Sequence, residues 1–402
     1  MIYHLKQNAF TVLVIACSAI AQNGVMRLQL ESATNFEAAQ PLSDRTGEHW
    51  AWRSAEAIAL VSTATRTTKL SGNFLKHSMS ANGIALLALE KNISPKTEER
   101  PAGVLLRWFN QSGVALGRHE FAWHDDDPLP HFIVSNSGSH ALVVEPGSAR
   151  ATFLMPGSPT AQGIALFEEA PYTNERPFFL AASATHFYIF TQIAPSTSLQ
   201  MQSPTLICFS LEGKEQWRRT LALGTAGNLA VAPSGKILVV HRYHVNAGKV
   251  EAGTILLDTE GRARVSIAGL FHAAAFSSDE QNIFLMDRRE LRCINVRSGA
   301  ELWHHQLTHR EEMFVALTNA ESPAACFALI AQNAFEQNRF VYKNARLAAF
   351  SAAKNSLTEQ LISETLSAPY LIFSGTQRRV LLAAEGQLLR YKFSSPTSSR
   401  LE

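Results

Sequence analysis

Short apolar runs, each broken by a polar turn, recur along the chain from about residue 70 to residue 393. The stretches AGNLAVAPSGKILVV, FHAAAFSSDEQNIFLM and HFIVSNSGSHALVV share one plan: an apolar run, a short polar turn, then a second apolar run. Helical period is scarce. Runs of this length with alternating character predict β-strands joined by tight turns. The turns fall at Asn82-Gly83, Ser137-Gly138, Ala184-Thr185, Ser234-Gly235, Ser278-Asp279, Asn319-Ala320 and Gly375-Thr376, at intervals of about 41 to 56 residues. A repeat of that size, made of four short strands, is the sequence signature of a propeller blade.

A second marker lies between these turns. LICFSLEGKEQWRRTLAL (Leu206 to Leu223), LRCINVRSGAELWHHQL (Leu291 to Leu307), VLLRWFNQSGVALGRHEF (Val104 to Phe121) and TILLDTEGRARVSI (Thr254 to Ile267) all read strand, glycine turn, strand. The first two place Trp217 and Trp303 four residues after the glycine. Glycine supplies the positive φ of a hairpin. The tryptophan is expected to fill the space between neighbouring blades.

On these hairpins the sequence resembles the PQQ-like (quinoprotein-type) propeller repeat, with WD40-like repeats the near alternative. No Trp-Asp pair closes a blade. The resemblance implies an all-β fold: a β-propeller of seven blades, each of four antiparallel strands, with the ring closed by an N-terminal strand. The repeats map to 73–123, 131–168, 178–223, 228–268, 272–307, 313–364 and 369–393, the last one strand short. Ala57 to Val61 is the candidate for the missing strand. Closure within one sheet leaves no open edge. On this reading 51–393 is the propeller, 22–50 an irregular arm and 394–402 a flexible polar tail.

Composition fits. Apolar residues make up 46% and charged residues 17% of 402, against a usual quarter charged. Disorder, collagen and coiled coil are excluded. A net charge of +2 provides no global field for nucleic acid.

The chain opens MIYHLKQNAFTVLVIACSAIAQNG. Lys6, a short apolar run and the small residues Ala19 and Ala21 have the layout of a bacterial secretory signal over residues 1–21. Val14-Ile15-Ala16-Cys17 resembles a lipobox, which would make Cys17 a lipidation site and give the protein a lipid anchor. Either route exports the mature chain to the periplasm or cell surface. The apolar run is too short for a permanent membrane span. The signal, length and repeats together are similar in layout to the propeller lipoproteins of outer-membrane assembly. Cys208, Cys293 and Cys326 sit in apolar strand-like runs and read as buried hydrophobes.

Candidate binding residues come from the connections. In a propeller with strands A to D from the axis outward, the B–C and D–A connections share one face. Four B–C connections read as long loops: Lys91 to Ala102, Gln192 to Pro204, Arg242 to Ala252 and Ala331 to Ala345. Long loops on a rigid scaffold commonly carry binding. Arg242, Tyr243 and His244 stand in one, and Phe335, Arg339, Phe340 and Tyr342 in another. Aromatic residues with arginine are frequent anchors of protein contacts.

Two histidine clusters, His304/His305/His309 and His119/His124/His131, also fall on that face. In WHHQL, strand alternation points His304 and His305 to opposite sides, so they do not chelate as a pair. Asp125 to Asp127 lacks the spacing of a calcium loop. No metal site is assigned. No G-x-S-x-G, H-E-x-x-H or P-loop motif occurs. The absence of a Cys-Cys pair separates the chain from PQQ-dependent dehydrogenases, and no cofactor is implied. The expected function is an exported, non-catalytic module that binds or scaffolds another envelope or surface protein. The alternative is a periplasmic hydrolase, lyase or carbohydrate-acting enzyme with its site in the central funnel.

Overall fold

The computed structural model describes residues 27–394 apart from connecting stretches, the longest being 92–102, 168–177 and 192–203. Expectations on the signal segment, Cys17, His124, Asp125 to Asp127, the loop tips at 92–102 and 192–203 and the tail beyond Ser394 therefore fall outside the described residues. Among the described residues, the strands form eight four-stranded antiparallel sheets. Seven of these are the seven repeats read from the sequence. They span Phe74–Ala122 (sheet 2), His131–Ala165 (sheet 3), Phe178–Thr220 (sheet 4), Thr225–Ala268 (sheet 5), Ala273–Gln306 (sheet 6), Glu312–Leu366 (sheet 7) and Tyr370–Ser394 (sheet 8). The first strands of successive sheets lie against one another around the axis, giving the ring of a β-propeller.

Leu42–Ser71 adds one more four-stranded sheet (sheet 1), next to sheet 2. This corrects the irregular arm expected over 22–50. The innermost strand of sheet 1 is only Leu42–Ser43, too short to leave a hydrophobic pattern.

An N-terminal strand does close sheet 8, but it is Arg27–Asn35 rather than Ala57 to Val61. Arg27–Asn35 pairs antiparallel with Gln387–Ser394, from Arg27 opposite Ser394 to Asn35 opposite Gln387. Ala57–Ser62 is instead an interior strand of sheet 1, held between His49–Arg53 and Thr67–Ser71. The reason lies in the side chains. AIALV is apolar on both faces, as an interior strand requires, with Ile58 and Leu60 buried. RLQLESATN alternates apolar with polar, which suits an outer strand.

The core is a series of layers between sheets. One layer packs Phe153 of sheet 3 against Phe187 and Phe209 of sheet 4, with ring centroids 6.1 and 5.1 Å apart. Burying each such ring contributes roughly 1.5–3 kcal/mol. The two hairpin tryptophans bridge blades as expected. Trp217 Nε1 donates to Thr259 O of the next sheet at 2.8 Å, and Trp303 Nε1 to Ala352 O at 3.2 Å. Each faces a cysteine on its own hairpin, Cys208 and Cys293. Cys208, Cys293 and Cys326 are all buried and free of disulfides.

The A–B turns repeat a polar device. Buried Ser80, Ser135, Ser183 and Ser277 each turn their Oγ to accept from a backbone N–H across the turn, those of Ala85, His140, His186 and Asn282. The distances run from 2.9 to 3.1 Å. An N–H left unpaired there would be costly.

Candidate functional site

Two of the four connections expected as long loops are strands. In sheet 5, Ile237–Asn246 and Lys249–Asp258 pair along their whole length, up to Asn246 opposite Lys249, so the described residues of Arg242 to Ala252 extend a hairpin. In sheet 7, Cys326–Glu336 and Arg339–Phe350 do the same about 337–338. The correction has a simple origin. The aromatic and β-branched residues that suggested contact anchors also continue the ladder.

Phe335 and Phe340 face each other near the tip of the sheet 7 hairpin, ring centroids 5.1 Å apart in an edge-to-face arrangement. They are 61% and 63% exposed. A Lys343–Glu336 ion pair lies beside them. Tyr342 does not join this patch: it is half-buried against the layer containing Leu366 and Tyr391. Arg339 is placed on the hairpin strand beside Phe340. In sheet 5, Tyr243 is exposed, Arg242 half-buried, and His244 lies on the same strand. The two hairpins stand on either side of sheet 6, whose own B–C turn is short. There Arg289 donates to the carbonyls of Leu307, His309, Arg310 and Glu312 at 2.6–3.0 Å. That guanidinium fixes the D–A connection between the hairpins.

The histidines separate as strand alternation requires. His304 Nδ1 reaches the Glu301 carboxylate at 3.1 Å on the outside. His305 packs inward on Phe350, ring centroids 5.3 Å apart. Among the described residues no group of three potential ligands could hold a metal ion.

The funnel holds a cavity of about 420 Å³ lined mainly by Ala181, Ala182, Leu229, Val231 and Ala274, with Asn136 and Asn319 as its polar side chains. Asn319 Oδ1 is occupied, accepting from Phe276 N at 2.7 Å. A second cavity of about 660 Å³ opens at the hairpin-face end of the first strands. Its polar lining is Arg53, Lys76, His77, Ser78 and His131. Sequence reading weighed only His131 of these, as part of a metal cluster. The available signal was a first strand, FLKHSM, carrying Lys76 and His77 where the first strands of sheets 4 and 6, FFLAA and AAAF, are apolar. Burial, aided by Arg53, holds the His77 imidazole down to about 4. Burial and Lys76 do the same to His131, also to about 4. Arg53, His77 and His131 thus meet in one cavity without hydrogen-bonding to one another.

No known protein-family model and no curated protein sequence matches the chain. Solved structures do resemble it. The C-terminal WD40 domain of Sif2 has a TM-score of 0.58 at 11% identity, over 92% of this chain and 99% of that one. The Dos1 propeller has a TM-score of 0.59 at 10% identity, over 91% and 95%. The chain thus shares the fold of WD40-like propellers.

Proposed function

We propose that the protein is a non-catalytic binding or scaffolding propeller that engages a protein partner through the face carrying the sheet 5 and sheet 7 hairpins. One observation carries this reading: Phe335 and Phe340 stand mostly exposed as a matched pair on an extended hairpin. A closed aromatic pair held away from the core does little for folding, whereas rigid exposed aromatics are favoured anchors in interfaces. The mainly apolar lining of the 420 Å³ funnel cavity supports binding over chemistry there.

The test is affinity capture from a native cell envelope, comparing the wild type with a Phe335→Ser/Phe340→Ser double variant. The reading expects a partner held by the wild type and lost from the variant, with little change in thermal stability. Equal capture by both would overturn it.

The working location proposed is outside the cytoplasm, with export by the N-terminal segment. A mature chain beginning near Gln22 or at an acylated Cys17 supports this, and a chain retaining Met1 overturns it. The Gly213–Trp217 and Gly299–Trp303 hairpins support a repeat of quinoprotein type used without its cofactor.

A further inference from the structure

The 660 Å³ cavity at the funnel mouth is assembled from four elements. Arg53 ends the second strand of sheet 1, Lys76 and His77 lie in the first strand of sheet 2, His131 opens the first strand of sheet 3, and Phe178 opens that of sheet 4. Leu75, Met79, Phe132, Ile133, Phe178 and Leu180 make most of the wall apolar. The size lies within the roughly 300–1,000 Å³ usual for small-molecule sites.

Its charge is unbalanced. Arg53 Nη1 donates to Phe74 O at 2.8 Å and Lys76 Nζ to Pro130 O at 3.4 Å. Both partners are neutral carbonyls. Among the described residues no carboxylate lines the cavity or pairs with either cation. Half-buried cations without a counter-charge cost stability. The two imidazoles register the same field. Burial first, then Arg53 for His77 and Lys76 for His131, hold both in the neutral form at pH 7. His77 bonds to the backbone of Ala51, while its buried Nε2 has no partner.

We propose that this cavity binds a small monoanionic carboxylate carried on an apolar body. The carboxylate would lie between Arg53 and Lys76, and the body would cover the leucine, methionine and phenylalanine wall. The single charge follows from the mixed lining, two cations beside a neutral imidazole and an apolar wall. Each cation has already given one hydrogen bond to backbone, and Nε2 of neutral His77 presents a lone pair rather than a proton. A phosphate, with more charge and no apolar body, would face that lone pair and leave the leucine, methionine and phenylalanine wall uncovered. This inference is independent of the hairpin face.

The probe is octanoate, titrated calorimetrically into the full-length protein beside octan-1-ol and inorganic phosphate. The alcohol has the same body and no charge; the phosphate has charge and no body. Octanoate is expected to bind at least about tenfold more tightly than either, the scale of a charge-assisted bond. Lys76→Met should weaken octanoate about tenfold or more while leaving octan-1-ol unchanged, and should be at least as stable as wild type because it removes an unpaired cation. If that variant folds poorly, Lys76→Gln serves the same purpose, and the octanoate–octanol comparison needs no variant. Equal binding of acid and alcohol, tighter binding of phosphate, no binding, or full retention by folded Lys76 variants would each overturn the proposal.

Discussion

Gly261, in the outer turn of sheet 5, backs onto the indole of Trp217 in sheet 4. A Cβ built on Gly261 would lie 2.9 Å from Trp217 Cδ2, and the residue has a φ of +76°. The turn whose Thr259 accepts the indole hydrogen bond is thus the turn whose glycine makes room for the ring. Gly261→Ala should destabilise the fold by about 1–3 kcal/mol, combining left-handed backbone with overpacking. Trp217→Phe should cost about 1 kcal/mol or more through the lost bond and contact. Because the two residues share one contact, a double-mutant cycle in urea should show them to be non-additive.

The buried turn serines predict a second pattern. Ser277 Oγ accepts from Asn282 N at 3.0 Å and donates to Asp279 Oδ1 at 2.6 Å. Ser277→Ala leaves a buried N–H unpaired and should cost about 1–3 kcal/mol. Exposed Ser278, one residue on in the same turn, should tolerate alanine within about 0.5 kcal/mol. Urea unfolding of the two variants makes the comparison.

Acid should loosen the ring. His241 is 4% exposed and hydrogen-bonds Thr254 Oγ1 at 2.7 Å. Burial, then the charge of His272, lowers it from 6.5 to about 4. The unfolded chain therefore binds more protons than the folded one between those values, so stability is complete above about pH 6.5 and is lost as pH falls toward 4. The contribution of His241 is on the order of 2–3 kcal/mol. His77 and His131 act in the same sense. Urea midpoints should drop between pH 7 and pH 5, and His241→Gln should lessen the drop.

The thiols should be inert until the fold opens. Burial pushes Cys208 and Cys293 up to about 12, and Cys326 well above its usual value. The thiolate is the reactive form. Iodoacetamide at pH 7.5 should leave all three unmodified in the native protein and label them in urea, as read by intact mass.

The propeller was legible because its blades repeat. Turns such as Ser137-Gly138 and Ser234-Gly235, and the Gly-x-x-x-Trp hairpins, signal their geometry locally. Sheet 1 and the strand that closes sheet 8 were not, since Leu42–Ser43 is too short to show a period and the pairing of Arg27–Asn35 with Gln387–Ser394 joins opposite ends of the chain. Phe335 and Phe340 were found because aromatics among polar residues stand out, although the segment folds as a hairpin rather than a loop. The charged cavity escaped because Arg53, Lys76 and His131 belong to three different sheets. Only the packing of sheets 1, 2 and 3 side by side brings them together.

Pairing Arg27 with Ser394 also gives the disc an up and a down. Following the alternation of strands through sheet 8, both residues leave the ring on the side of the A–B and C–D turns, opposite Phe335 and Phe340. A tether joined directly to Arg27 or Ser394 would therefore hold the disc by its back, with the aromatic hairpin and the cavity mouth turned away from the point of attachment.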